Sequence, residues 1–157
     1  MPDGKRIGRL QLTGESLTRL SPELEVDRQA AVRDLLHDNR FDPTGQPAGP
    51  YSLHLSIQEG RLVFDIRDEA DAPLHLLALA LGPFRKLIKD YQMLCDSHAE
   101  AVMEGREARV QAIDMGRRGL HNEGADLLNQ RLEGRITLDF DTARRLFTLI
   151  CVLHQRV

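Results

Sequence analysis

The chain is 157 residues long, 41% hydrophobic and 29% charged, the length of about one domain and the composition of a globular protein. Its 21 Lys and Arg against 24 Asp and Glu leave a formal net charge of −3. These values exclude a disordered tail, a collagen and a membrane-embedded chain, and they make nucleic acid an unfavoured partner.

Residues 6–12 read as a short strand. Ser21-Pro22-Glu23 is a helix start, a side-chain cap followed by proline at the first helical position. That helix is predicted to run to about His37 with Leu24, Ala31 and Leu35 on one face. Residues 39–50 carry three prolines and two glycines and read as a loop. Tyr51, Leu53, Leu55 and Ile57 then alternate with polar residues, and so do Leu62, Phe64 and Ile66 after Glu59-Gly60. A two-residue turn there pairs Ile57 with Leu62, Leu55 with Phe64 and Leu53 with Ile66, with His54 opposite Asp65 on the other face. Leu74–Leu81 reads as a third strand. Both of its faces are apolar, which predicts a central strand or one covered on two sides, although the pattern also fits a helix.

Gly82-Pro83 opens a long helix whose apolar stripe is Phe84, Leu87, Ile88, Tyr91, Leu94, Cys95, His98 and Val102. Gly105 breaks it. A second helical region covers about 106–133 and stops at Gly134. Arg135–Leu138 is a short strand, and Asp139 or Asp141 caps a last helix to about His154. The sum is an α+β fold: a small antiparallel β-meander against about four α-helices, mostly in the C-terminal half. It is expected to be one domain over 1–157, with residues 1–20 as a loosely attached N-terminal strand.

No signal peptide follows Met1–Arg6, and Leu76–Leu81, the longest strictly apolar run, falls far short of the roughly 20 residues of a membrane span. The chain reads as cytoplasmic with no membrane contact. Cys95 and Cys151 read as buried free thiols. Arginine outnumbers lysine 18 to 3. A surface that binds carboxylates or phosphates bidentately would show this bias, but a G/C-rich genome is the favoured account, because acids of similar number are interspersed along the chain.

Chemistry concentrates in 114–126, where Gly116, Gly119 and Gly124 interrupt a helical pattern at a cost of about 1 kcal/mol each. Two arrangements explain them. In one, the helix breaks at Gly119, Asn122 caps the next, and the free N–H groups of 123–125 bind an anion beside Arg117, Arg118 and His121. In the other, the helix is continuous, the glycines admit a close neighbour, and the arginines pair with carboxylates such as Asp114. The segment has no nucleotide-binding fingerprint. The six histidines show no metal spacing, no serine sits in a glycine elbow, and no cofactor is expected.

Three stretches also have a family likeness: Gly60–Ile66, Ala112–Gly124 and Asp139–His154, with Pro83-Phe84-Arg85 and Lys89-Asp90-Tyr91 between them. Together they resemble the alphaproteobacterial uncharacterised protein family 0262 over roughly residues 20–156. The resemblance implies a bacterial, single-domain, cytoplasmic protein. It carries no activity, substrate, cofactor or catalytic residue.

The absence of any nucleophile, metal or cofactor constellation favours a non-enzymatic binding or regulatory module. It would dock a protein partner or a second copy through an apolar patch of the last helix and 106–133. The alternative is an enzyme or sensor for a small phosphorylated or carboxylated ligand. There Arg117 and Arg118 clamp the anion, His121 moves a proton, and Glu123 or Asp114 orients it beside Asn122. A straight helix through 114–126 excludes the two-arginine clamp, because adjacent helical residues point about 100° apart.

Overall fold

The computed structural model describes residues 4–154; residues 1–3 of the expected N-terminal segment and 155–157 lie outside them. Strand β1 is Ile7–Thr13, and helix α1 is Pro22–His37. The start of α1 is set as its sequence dictates: Pro22 stands in the first turn and Ser21 Oγ accepts from the Leu24 N–H at 3.3 Å.

Strands β3 (Tyr51–Gln58) and β4 (Arg61–Arg67) form the hairpin in the predicted register, with Leu53 on Ile66, Leu55 on Phe64 and Ile57 on Leu62. Glu59 (φ 52°) and Gly60 (φ 73°) both take the left-handed conformation, which defines a type I′ turn and matches the strand twist. Strand β5 (Pro73–Ala80) continues the meander antiparallel to β4. On the other side β1 pairs parallel with β3, so the sheet order is β1-β3-β4-β5. Ile7 is fully buried, and the Asn39 side chain brackets it, accepting from its N–H at 2.7 Å and donating to its carbonyl at 3.0 Å.

Two elements differ from expectation. The segment 39–50 contains a strand, β2 (Phe41–Pro43), paired antiparallel with β6 (Ile136–Leu138) in a separate two-stranded sheet. Phe41 is fully buried, and that anchor outweighs the loop-forming prolines around it. Strand β5 is an edge strand rather than a central one. Leu77 and Leu79 face the core, but Leu76 on the opposite face is 67% exposed.

The helices follow a short 3₁₀ turn at Gly82–Phe84. They are α2 (Arg85–Met103), α3 (Glu107–Leu132) and α4 (Phe140–Leu153). Gly105 (φ 70°) separates α2 from α3, and Asp139 caps α4 by accepting from the Thr142 N–H at 3.2 Å. Helix α4 is the centre of the core: Ala143, Leu146, Phe147, Leu149, Ile150, Cys151 and Val152 are all fully buried. Its one large apolar residue left exposed is Phe140, at the start of the helix. Its terminal carbonyls are satisfied from two other elements. Gln92 of α2 donates to Cys151 O and His154 O, and Ser16 Oγ donates to Leu153 O at 2.9 Å.

Helix α3 runs unbroken through 114–126. The broken-helix alternative is thereby corrected: the N–H groups of 123–125 belong to the helix interior and form no anion niche. The glycines divide by environment. A Cβ on Gly124 would stand 2.3 Å from Phe147 Cγ, whereas one on Gly119 would meet nothing within 4 Å. Gly119→Ala should therefore stabilise the fold by about 1 kcal/mol through helix propensity. Gly124→Ala should destabilise it by about 2 kcal/mol or more by forcing α3 away from α4. Urea unfolding of the two variants checks this. Equal stability would contradict the close approach.

Candidate functional site

Three helical stripes each carry polar residues among their apolar ones. On α1 the stripe is Leu24, Asp27, Ala31, Leu35; on α2 it is Ile88, Tyr91, Cys95, His98; on α3 it is Ile113, Arg117, Leu120, Gly124. A charge on a packed stripe must find a partner there or lose its hydration uncompensated. The stripes are arranged so that it does. Arg117 Nη2 donates to Asp27 Oδ1 at 2.9 Å and Oδ2 at 2.7 Å. The Tyr91 hydroxyl donates to the same Oδ2, and the guanidinium lies 5.9 Å from the Tyr91 ring centre, within cation–π range. The Arg117 and Asp27 side chains are 13% and 16% exposed.

The network extends in both directions. Toward solvent, Arg117 Nη1 is 3.7 Å from Asp114 Oδ1 and 3.9 Å from Glu23 Oε2. His98 bridges those two carboxylates, Nδ1 to Glu23 at 3.0 Å and Nε2 to Asp114 at 3.3 Å. Toward the core, the His121 ring packs edge-on against Tyr91 with centres 5.0 Å apart. Its Nε2 is 3.3 Å from Thr148 Oγ1 on α4. All four α-helices thus contribute to one cluster.

The surroundings shift the protonation of Tyr91, Cys95, Arg117 and His121. Burial, with Cys95 and Asp27 beside it, raises the Tyr91 pKa and keeps the hydroxyl protonated. Burial pushes the Cys95 thiol up to about 12 and raises Cys151 well above the ordinary value, so neither is a thiolate nucleophile. Burial works against the Arg117 charge, but Asp27 and Tyr91 more than offset it and its pKa rises. Burial and then the positive Arg117 pull His121 down to about 4, which leaves it neutral at pH 7 and a weak base.

The six residues singled out in the sequence divide evenly. Asp114, Arg117 and His121 join the cluster, while Arg118, Asn122 and Glu123 are exposed. The two-arginine clamp is corrected accordingly: on a continuous helix Arg118 points away from Arg117. Asp27, Glu23 and the polar role of Tyr91 escape the sequence reading. The one available signal is Asp27 itself, an acid three residues after Leu24 and four before Ala31 on the buried face of α1. On the sheet, His54 stands opposite Asp65 as predicted but bonds Asp71 at 3.1 Å, while Asp65 takes Arg67 at 2.7 Å. Among the described residues no group of three or more His, Cys, Asp or Glu is placed to hold a metal ion, and no helix is long and apolar enough to cross a membrane.

The model of an uncharacterised protein family, UPF0262, matches residues 4–156, so the chain belongs to that family. The match takes in most of the first twenty residues, beyond the stretch that carries the likeness in the sequence. A UPF0262 protein of Granulibacter bethesdensis is 63% identical, the alignment covering 98% of this chain and 92% of that protein. A UPF0262 protein of Acidiphilium cryptum is 62% identical over 96% and 93%, and one of Maricaulis maris is 52% identical over 96% and 94%. No solved structure matches.

The neutral His121 gives the cluster a pH signature. Its folded pKa of about 4 lies below the unfolded value of 6.5, so between those limits the unfolded chain binds more protons. Stability should fall by about 3 kcal/mol as pH drops from about 6.5 to about 4, at 1.36 kcal/mol per pKa unit, and level off below. His121→Gln should remove this component. Chemical unfolding of both proteins across pH 4–7 checks it: parallel curves would contradict a buried neutral imidazole.

Proposed function

We propose that the chain is a non-enzymatic binding module of the cytoplasm, acting through its surface rather than through a reaction centre. The observation that carries this reading is the closure of the Arg117 site. Its guanidinium, the group best suited to a phosphate or carboxylate, already holds both oxygens of Asp27 beneath the Tyr91 hydroxyl. An anionic ligand would have to displace a carboxylate that is covalently part of the fold. The other chemistry-bearing groups support the same reading, since the thiols stay protonated and His121 stays neutral. Apolar surface points outward instead, with Leu76, Val102, Met103 and Met115 each more than half exposed.

The competing reading, a sensor or enzyme for a small anion at 114–126, makes a different prediction in a thermal-shift screen. A ligand at 100 times its dissociation constant adds about 2.7 kcal/mol, a rise of several degrees for a chain of this size. Nucleotides, sugar phosphates, carboxylates and divalent metals should all leave the melting temperature unchanged. A dose-dependent rise with any of them that is lost in Arg118→Ala or Glu123→Ala would overturn the proposal.

A further inference from the structure

A hollow of about 290 Å³ opens on the polar face of the sheet, at the end where β1 and β3 begin and β4 finishes. Arg6, Gly8, Arg9, Pro50, Ser52 and Glu69 are in its walls. A break in strand alternation helps to build it. Successive residues of a strand face opposite ways, so Arg9 would ordinarily share the buried face of Ile7. The register shift between Ile7 and Arg9 instead sets an exposed Arg9 beside Ser52, as a bulge re-aims a side chain. Gly8, the extra residue, lets the backbone close on Pro50, because a Cβ there would stand 3.0 Å from the Pro50 Cβ. Glu69 comes from the 68–72 turn after β4. Asp68 Oδ1 accepts from the Ala70 and Ala72 N–H groups at 2.9 Å, and Asp71 is tied to His54 at 3.1 Å and Arg67 at 3.0 Å. Its other two acids thus pin the turn over the sheet and leave Glu69 unused.

The polar groups around the hollow have binding capacity to spare. Ser52 is 2% exposed and its Oγ has no hydrogen-bond partner, a state that costs stability until something supplies one. Arg6 uses a single donor, in a long bond from Nη2 to Leu36 O at 3.4 Å. Arg9 and Glu69 line the same hollow with opposite charges, yet neither pairs with the other or with any described residue. We propose that the hollow binds a free acidic α-amino acid. Arg6 and Arg9 take its two carboxylates, the Ser52 hydroxyl donates to one of them, and Glu69 accepts from its ammonium. Two guanidinium groups against one carboxylate leave the lining with one positive charge in excess, and such an amino acid carries one net negative charge. A dicarboxylate or a phosphate would satisfy the arginines but face Glu69 with like charge, and a simple amine would meet two arginines. Inside a polypeptide the same residue loses its α-carboxylate, its ammonium or both to peptide bonds, so the free molecule alone offers all three charges. The hollow is at the small end of the range for small-molecule sites, which suits a ligand of this size.

The inference goes beyond the binding-module reading and does not need it. Calorimetric titration of the full chain with L-glutamate and L-aspartate tests it, with circular dichroism of each variant to verify its fold. At least one of the two should bind. Glutarate and succinate, which lack the ammonium, and L-alanine, which lacks the second carboxylate, should bind weaker by about tenfold or more. Arg9→Gln and Glu69→Gln, both at exposed positions, should each weaken binding by about tenfold or more. Ser52→Ala should move two readouts in opposite senses. The ligand-free protein should melt higher, because an unsatisfied hydroxyl is gone, and the amino acid should bind about tenfold more weakly, because a donor to a charged group is lost. No binding of either amino acid would overturn the proposal. So would glutarate that binds as tightly as L-glutamate, or binding that survives both Arg9→Gln and Glu69→Gln. Binding that Arg118→Ala abolishes would place the ligand at 114–126 and overturn the binding-module reading with it, whereas loss in Arg9→Gln leaves that reading standing.

Discussion

The carboxylate of Asp27 and the guanidinium of Arg117 form the contact on which the helical half of the molecule turns. The two residues are 90 positions apart in sequence and come from helices that do not follow one another. Each stands on a packed stripe where an apolar residue would ordinarily be. Apart, either charge would be stranded in a medium that solvates it poorly; removing one partner of such a pair leaves a penalty of about 3–5 kcal/mol. Together, with the Tyr91 hydroxyl completing the carboxylate's shell, they fix how α1 lies across α2 and α3. Apolar stripes tolerate small sliding motions, whereas a carboxylate shared by a guanidinium and a phenol does not. The His98 bridge between Glu23 and Asp114 carries the same alignment to the surface.

That constraint also governs what the protein can do. The side chains that look most like a reaction centre are engaged with one another, and their environment keeps the Cys95 thiol, the Tyr91 phenol and the His121 imidazole uncharged. Strand β5 stands at the rim of the sheet with Leu76 exposed on its outer face. The fold thus separates its tasks. The helical cluster ties the four helices together, and the meander ends at the β5 edge, whose pairing with β4 shifts register beyond Ile66. Burial of α4 from Leu146 to Leu153 serves both, because the hairpin strands and the α2–α3 pair share a core with it.

What is legible in the sequence follows from periodicity and local chemistry. The β3–β4 hairpin can be registered residue by residue, because a two-residue turn and two alternating strands admit one alignment. The Ser21-Pro22 start, the Gly105 break and a cap at Asp139 or Asp141, which the structure assigns to Asp139, are likewise local. Long-range pairing is not legible. Phe41-Asp42-Pro43 is too short and too rich in loop-formers to be read as a strand, and its partner β6 lies more than 90 residues away. The two apolar faces of β5 suggest a central position, yet the strand stands at an edge, because apolar pattern says nothing of neighbour order. In the cluster, the glycines and arginines of 114–126 point to the right helix, and Asp114 is a real but secondary neighbour of Arg117. The primary partner is hidden because nothing in one sequence says which acid on a distant helix faces a given arginine. Only the position of Asp27 within the Leu24–Ala31–Leu35 stripe marks it as facing the neighbouring helices.

Asp27 and Arg117 therefore act as one structural unit. A double-mutant cycle of Asp27→Ala and Arg117→Ala, followed by urea unfolding, tests this most directly. Each single substitution should cost about 3 kcal/mol, and the double should fall short of their sum by about 1.5 kcal/mol or more, because the second removal leaves no further charge stranded. Additivity to within about 0.5 kcal/mol would mean that the two charges do not depend on each other, and that something other than this pair aligns the helices.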